Sequence, residues 1–595
     1  MILSLIVQGV AELRPPTAEV GSALRPIITR RRRKWWRRLV SEGGFVTLIA
    51  YILYLVVAML LDFKYFIFPG DAMSRMANGF YVLYSRDPHL AAIGFVWTPL
   101  PSIVDIFFLL FKGLWPALAT HDVAGSLMSV LAMAGAVYQV WATLVEWVVP
   151  RLPRLVLVAL FALNPMIVYY SANGMSEALY VFTLVATTRY LLRWLRHPDS
   201  LRPLVYSGAM LALAFLGRNE AVAAATLGTV LVFTITHNRT AGTRRQKVMA
   251  ATTDGTVFVV PFAATFGAWA ISGYVITHQL LAQFSVNNLQ VSIAGIRLSS
   301  ASSRFIHEVH AMLYIGPLLP IAIVFAFGFA LKRHDPQPWA IVCILGGCLV
   351  FSLVSYLDAS VFPWFRFYIL AVPIEVLLVG YALSRSQVSA LSDESLNDAR
   401  QLTGPRHGAP SHSRRVPILV SAFGVLATLV IVGPSIPSTA KGMLNSVNAP
   451  EETQDLGFVF HRRLNAEDIS SKDHYAHIVS ISRYIGDMHL PNGSILVDNT
   501  VACIPEVIVT SKNARVFVIP NDRDYQRTLA DPLTFHAHFI LVPYAVGLAA
   551  VNAINKEYPG IYSGDQSFVR LAHSFSVGAN CPAFRLFRVV AHTGL

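Results

Sequence analysis

Four short strings in this sequence set charged or amide side chains beside long apolar runs. The first is Phe68-Pro69-Gly70-Asp71-Ala72-Met73-Ser74-Arg75-Met76-Ala77-Asn78-Gly79. Pro and Gly end the preceding run, and Asp71, Arg75 and Asn78 recur at helical spacing. One helix face would then carry a carboxylate that can take a proton, a guanidinium that can hold an anion, and an amide. The plain alternative is a helix capped by Asp71. Asp87 and His89 follow, then the turn Trp97-Thr98-Pro99-Leu100-Pro101. The second string, Asn164-Pro165-Met166 to Ser176-Glu177, closes an apolar run in aromatics and turns at Asn173-Gly174. It restarts with a Ser-x-x-Glu-like cap that presents Glu177. Third is Arg218-Asn219-Glu220 between two apolar runs. Charges at that depth pair with each other or line a functional cavity. Fourth is Ser355-Tyr356-Leu357-Asp358 with Trp364-Phe365-Arg366-Phe367-Tyr368, where Arg366 can snorkel or bind phosphate.

The elements that must position these groups follow from composition. Of 595 residues 54% are hydrophobic and 14% charged, with 47 Lys+Arg against 34 Asp+Glu and a formal charge of +13. Mean hydropathy is +0.53. Disordered, collagen-like and disulfide-scaffold classes are excluded, and a soluble enzyme is disfavoured. The reading is an α-helical polytopic membrane protein. A basic segment, residues 1–43, holds Arg30–Arg33, Lys34, Arg37 and Arg38 before a first span at 44–61, which places that end in the cytoplasm. A nucleic-acid-binding tail is the lesser reading, because the run abuts a span.

Further apolar runs lie near 94–118, 124–149, 155–171, 175–195, 203–217, 220–236, 256–276, 311–331, 338–357, 361–384 and 416–433, giving 11 to 13 spans. Placing the basic clusters at 193–202, 239–247, 332–333 and 385–415 inside leaves loops 65–93 and 278–310, and everything after about 434, outside. Asp71 and Glu177 can both be outside only if one of three runs between them fails to cross. The run starting at Trp97–Pro101 is the suspect. The loop 278–310 adds His278, Gln283, Asn287, Asn288, Gln290, Arg297, Arg304, His307, Glu308 and His310. His307, Glu308 and His310 make no convincing ligand set, so no cofactor is expected, a divalent metal being the open alternative.

Beyond 434 the chain changes character. Short β-branched runs at 494–498, 515–520, 538–543 and 584–590 alternate with helix-like stretches such as 545–557, which predicts a small extracytoplasmic α/β domain over 434–595. Cys503 and Cys581 fall in it and either pair or stay as separate buried thiols. Cys343 and Cys348 lie in a span. Neither a Walker loop nor a dinucleotide fingerprint is present.

With these residues in hand, the chain resembles the GT-C superfamily of membrane glycosyltransferases. That group includes the protein O-mannosyltransferases, the lipid A aminoarabinose transferase, and actinobacterial mannosyl- and arabinosyltransferases. The resemblance covers residues 40–435. It rests on the basic N-terminus, Pro69-Gly70-Asp71, Trp97-Thr98-Pro99-Leu100-Pro101, Asn164-Pro165 with Ser176-Glu177, Leu213 to Glu220, and Arg366-Phe367-Tyr368 with Pro373. Many members pair two acids in the first loop, whereas Asp71 has no acidic neighbour here.

The resemblance implies transfer of a sugar from a polyprenyl-phosphate carrier to a glycan, lipid or protein of the cell envelope, in the bilayer and without nucleic acid. Asp71 would be the general base, with Glu177 as the second catalytic acid. Arg366, Arg218 and Arg75 would hold the donor phosphate. Asp87, His89, Asn78 and Glu220 would orient the acceptor or an arginine. The competing class, a transporter or lipid flippase, predicts polar residues throughout the spans. A degenerate GT-C-like structural subunit is the third reading.

Overall fold

The computed structural model describes residues 25–280, 300–384, 415–459, 471–501, 503–576 and 581–590. Gln283, Asn287, Asn288, Gln290 and Arg297 lie outside them. The chain divides into two compact units, residues 1–46 and 47–595, of which the second carries most of the helical bundle and the C-terminal sheet.

Among the described residues, seven helices are long and apolar enough to cross a membrane: Glu42–Tyr65, Val123–Glu146, Ala221–Arg239, Arg244–Thr277, Gln337–Leu357, Phe365–Ala382 and Ser421–Met443. An eighth arises if Ala301–Ile315 and Leu319–Arg333, bent by 74° at their junction, count as one. That is fewer than the 11 to 13 expected, because several apolar runs break into short helices. The run at 94–118 becomes Leu100–Leu109 and Ala117–Thr120. Ten residues rise about 15 Å, half the hydrocarbon thickness, so the suspect run does not cross as one helix. The run at 155–171 breaks at Asn164-Pro165 into Arg151–Ala162 and Pro165–Tyr170. Proline lacks an amide hydrogen and starts a new helix there, with the Asn164 carboxamide accepting from the Met166 amide at 3.0 Å.

The bundle has two chemically different ends. At one, Glu146 accepts from Arg189, Arg193 and Arg196 at 2.6–2.7 Å. At the other lie Asp71, Glu177, Arg218 and Arg366, together with the C-terminal sheet. The sheet order is β2-β1-β3-β5-β4. Its strands are β1 (Ile495–Leu496), β2 (Phe517–Val518), β3 (Phe539–Pro543), β4 (Val569–Phe575) and β5 (Phe584–Val589). β1 pairs in parallel with β2 and β3, whereas β5 runs antiparallel to β3 and β4. Alternation along the strands splits the core in two. Leu496, Val518, Ile540, Val542 and Phe587 pack on Tyr525, Leu529, Ile554 and Ile561. Ile495, Phe517, Leu541, Phe584 and Leu586 pack with Met73, Met76, Ala77 and Phe80 of the helix Gly70–Tyr84. The stretch expected as an outer loop, 65–93, is therefore largely a helix whose apolar face completes the core of the sheet.

Cys503 and Cys581 are joined as a disulfide across 78 residues, which resolves the two alternatives in favour of pairing. β4 was not among the expected strands. It lies at a sheet edge with most of its residues exposed, so its apolar pattern is thin. The expected helix at 545–557 is instead a 3₁₀ turn, Gly547–Val551, and a short helix, Ala553–Glu557.

Candidate active site

The first span ends in a π-helical turn, and Phe66 takes a left-handed backbone (φ 54°) that stops it. Pro69 then starts the helix Gly70–Tyr84 with Asp71 in its first turn, where the helix dipole favours a carboxylate. Asp71 does not cap that helix. Its Oδ2 accepts from Nη2 of Arg366 at 2.7 Å, across 295 residues of chain. Arg366 is nearly buried, in the 3₁₀ turn Phe365–Tyr368 that opens a span. Its Nε lies 3.3 Å from Oε1 of Glu177, and Nη1 donates to Glu451. One guanidinium thus faces three carboxylates, each toward a different side of the planar fork.

Glu177 begins the helix Glu177–Arg196. The Asn173-Gly174 turn before it needs glycine: φ is +73°, and a Cβ would sit 2.6 Å from Oδ2 of Asp122. The expected serine cap is absent. Ser176 makes no capping hydrogen bond, and Asn173 accepts from the Met175 amide instead. Glu177 is 0% exposed, and its Oε1 is shared by Arg366 and Arg218. Arg218 also donates to Glu220 through Nε and Nη2, at 3.0 and 2.7 Å. The rings of Phe367 and Tyr180 stand 4.8 and 5.6 Å from its Cζ.

The Trp97–Pro101 turn braces both arginine positions. Thr98 donates to the carbonyl of Gly217, the residue before Arg218, at 2.7 Å. The Trp97 ring lies 4.4 Å from Cζ of Arg75. Arg75 donates to the Asp71 carbonyl at 3.2 Å, one turn back as the spacing predicts. The cluster thus holds Arg75, Arg218 and Arg366 with Asp71, Glu177, Glu220 and Glu451. Three cations and four carboxylates meet at the ends of helices, with Asp71 and Glu451 the most exposed of the acids and Glu177 fully buried.

Glu451 was missed in the sequence. It opens the helix Pro450–Val459 just past the last span, in a stretch that reads only as mixed and polar. The available signal was Pro450 followed by two acids, the same proline-then-acid start as Pro69-Gly70-Asp71. That helix is fixed by tyrosines at the end of the broken run: Tyr170 donates to Glu452 at 2.6 Å, and Tyr169 donates to Asp455. Burial pushes Glu451 up to about 8 against the pull of Arg366, with Asp71, Glu452 and Asp455 adding to the rise.

Asp87, His89 and Asn78 serve another junction. Asp87 accepts from the Arg523 amide at 3.1 Å and from its Nε at 2.9 Å, and this arginine holds its carboxyl down at about 2. His89 bonds the Asp87 carbonyl at 2.7 Å. Arg86 reaches Asp522 at 3.2 Å and also Asp524. Asn521 donates to the Ala92 carbonyl at 2.7 Å, and a Cβ at Gly94 would meet the amides of Asn521 and Asn78 within 4 Å. Arg86, Asp87 and the Ala92 carbonyl fasten the 85–94 segment to the C-terminal domain.

ArnT from Cupriavidus metallidurans, solved bound to undecaprenyl phosphate, superposes with a TM-score of 0.50 at 13% identity, covering 93% of this chain and 99% of that one. The two chains share a fold over nearly their whole lengths. The archaeal oligosaccharyltransferase AglB from Archaeoglobus fulgidus, solved with an inhibitory peptide and a dolichol-phosphate, is similar at lower score. It gives 0.41 at 12% identity, covering 85% and 70%. No protein-family model and no curated protein sequence matches the chain.

Proposed function

We propose that this chain is a glycosyltransferase that moves a sugar from a polyprenyl-phosphate carrier to an acceptor hydroxyl at the extracytoplasmic membrane face. The observation that carries the reading is the contact of Asp71 with Arg366, backed by Glu177 and Arg218, at the ends of spans. A fold shared with a protein solved with undecaprenyl phosphate supports it. Asp71 takes the proton of the acceptor hydroxyl as that oxygen attacks the anomeric carbon. The bond from that carbon to the phosphate oxygen breaks, and its electron pair leaves on the polyprenyl phosphate. Arg366 meets the growing charge, with Arg75 beside it. Glu177, having no exposed surface, positions Arg366 and Arg218 rather than touching substrate. Arg218 is held on two carboxylates and supports Glu177. Glu451 occupies the Nη1 edge of Arg366, the edge a donor phosphate would take, and gives way when the donor binds.

Charge distribution and sulfur chemistry support the extracytoplasmic side. The arginines around Glu146 and those at 239–247 gather at the end opposite the site, as cytoplasmic ends do. The disulfide sits in the domain at the site end, and such bonds persist in oxidising compartments. The test supplies membranes with radiolabelled polyprenyl-phosphate sugars and compares wild type with Asp71→Asn. Transfer by wild type and none by a correctly inserted variant is expected. An active Asn variant removes the base assignment.

A further inference from the structure

The candidate active site sets its arginines among a larger number of carboxylates; the opposite end of the bundle reverses that balance. There Arg189, Arg193 and Arg196 all converge on the single carboxylate of Glu146. Arg189 donates to it through Nε and Nη2 at 2.9 and 2.7 Å, and gives Nη1 to Gln139 at 2.7 Å. Arg196 donates through Nη2 to the carboxylate, through Nη1 to the Glu146 carbonyl and through Nε to the Leu192 carbonyl. Arg193 differs. Its Nε and Nη2 both meet Oε1 of Glu146, at 2.8 and 2.6 Å, and Nη1 has no acceptor among the described residues. Its side chain is 26% exposed, against 4% for Arg189 and 14% for Arg196.

A fourth cation joins from the next helix. Arg202 is exposed at the start of Arg202–Gly217, which packs against Glu177–Arg196 after the turn 197–201. Tyr190, one turn before Arg193, and Tyr206, one turn after Arg202, meet with ring centroids 5.5 Å apart. The two arginines therefore extend beyond a shared aromatic contact on one face of the helix pair. Cζ of Arg193 is 5.6 Å from the Tyr190 ring, and Tyr206 is 55% exposed. Against these four arginines stand Glu146 and, in the turn, Asp199, so the patch keeps a net positive charge.

Depth selects the ligand. The 20 residues of Glu177–Arg196 rise about 30 Å, the thickness of bilayer hydrocarbon. With Glu177 at one headgroup level, Arg193 reaches the other, where exposed tyrosines anchor and lipid phosphates lie. A basic pocket between helix ends at that level suits an anionic headgroup.

We propose that Arg193 and Arg202 bind the phosphate of one anionic phospholipid at the end of the bundle opposite the candidate active site. Nη1 of Arg193 donates to a phosphate oxygen, Arg202 closes from the neighbouring helix, and Tyr206 lies against the glycerol and first acyl carbons. Arg189 and Arg196, whose Nε, Nη1 and Nη2 all have acceptors, hold Glu146 and so aim Arg193. The same two helices carry Glu177 and Arg218 at their other ends. The lipid thus braces, from the far leaflet, the pair of helices on which those two charges are mounted.

The experiment incubates the purified full-length protein in detergent with phosphatidylglycerol or phosphatidylcholine and counts bound lipid by native mass spectrometry. One phosphatidylglycerol retained per chain, in preference to phosphatidylcholine, is expected. Arg193→Gln/Arg202→Gln should weaken that retention by at least about tenfold, since each arginine near a charged lipid contributes about fivefold. Loss of two other exposed arginines, in Arg244→Gln/Arg245→Gln, should leave it nearly unchanged. Equal retention of the two lipids overturns the proposal. An equal loss in the two double variants reports diffuse charge attraction and overturns it as well. Millimolar inorganic phosphate should not displace the lipid; displacement assigns the site to a free anion and overturns the lipid reading. If thermal unfolding shows that the Arg193 variant has lost its fold, the exposed Arg202→Gln alone carries the comparison and must still weaken retention about fivefold.

Discussion

Replacing Arg366 by Lys keeps the charge and removes the fork. Arg366 meets Asp71 at 2.7 Å, Glu177 at 3.3 Å and Glu451, from a side chain only 5% exposed. An ammonium is a compact point charge and can face one of these acids well from that position. Hydrogen bonds to charged groups contribute about 1.5–3 kcal/mol each, so keeping one of its two, to Asp71 and Glu451, removes about that much local interaction. The fold should survive, because Glu177 keeps Arg218 and is not left as a bare buried charge. Catalysis should not. Removing one preorganised donor to a developing anion costs about 2.7–4 kcal/mol, or about 10²–10³ in kcat. Arg366→Lys is therefore expected to lose about that factor in kcat, in liposomes supplied with whichever polyprenyl-phosphate sugar the wild type consumes. Single-turnover rates at saturating donor separate this from weakened binding. A folded Arg366→Lys protein within about threefold of wild type in that rate would refute a phosphate-facing role for the fork.

Other perturbations test other parts of the design. Glu451, raised to about 8, is mostly neutral at pH 7 and ionises as pH rises through that value, when it competes with phosphate for Arg366. kcat/KM should therefore fall above about pH 8 in wild type, and Glu451→Gln should lack that limb; an unchanged limb in the variant excludes the role. Gly79→Ala places a Cβ 2.8 Å from the carbonyl of Ser102, where the Asp71 helix crosses Leu100–Leu109. Thermal unfolding in detergent should show a loss of about 1–3 kcal/mol, since backbone cannot yield as a flexible side chain does. Arg523→Ala breaks a pair with an exposed arginine and should leave stability nearly unchanged, whereas Arg86→Ala strips a fully buried Asp522 and should cost visibly more. Equal effects of the two would contradict the burial argument.

Much of this arrangement was legible in the chain, for a physical reason. Long spans announce themselves by apolar length: the runs read at 124–149, 220–236 and 338–357 reappear as Val123–Glu146, Ala221–Arg239 and Gln337–Leu357. A charge at the end of such a run is conspicuous, so Asp71, Glu177, Arg218 and Arg366 stand out from their neighbours without any knowledge of their contacts. Three things could not be read. Apolar length does not say that Leu100–Leu109 stops short of a crossing. Spacing along the Asp71 helix groups Asp71 with Asn78, but the three-dimensional partner of Asp71 lies 295 residues away. Asp87 looks like a candidate beside a site, yet its counter-charge, Arg523, is invisible from local sequence.

Glu451 belongs to that last class, and its position explains the missing acidic neighbour of Asp71. The sequence has one acid where a pair was sought, and the structure brings another, 380 residues further along the chain, to the same arginine. Burying a guanidinium is costly unless its donors are met, and an empty phosphate site would leave the Nη1 edge of Arg366 bare. A fixed third carboxylate would solve that problem while permanently blocking the phosphate. A carboxylate on a separate short helix, partly exposed and raised towards neutrality, solves it reversibly: it satisfies Arg366 while the site is empty and is the group least costly to displace. Glu177, fully buried and shared by two arginines, is the opposite case and cannot leave. Under the proposed function the two acids divide the work, Glu177 holding the arginines in place and Glu451 yielding the Nη1 edge of Arg366 to a phosphate.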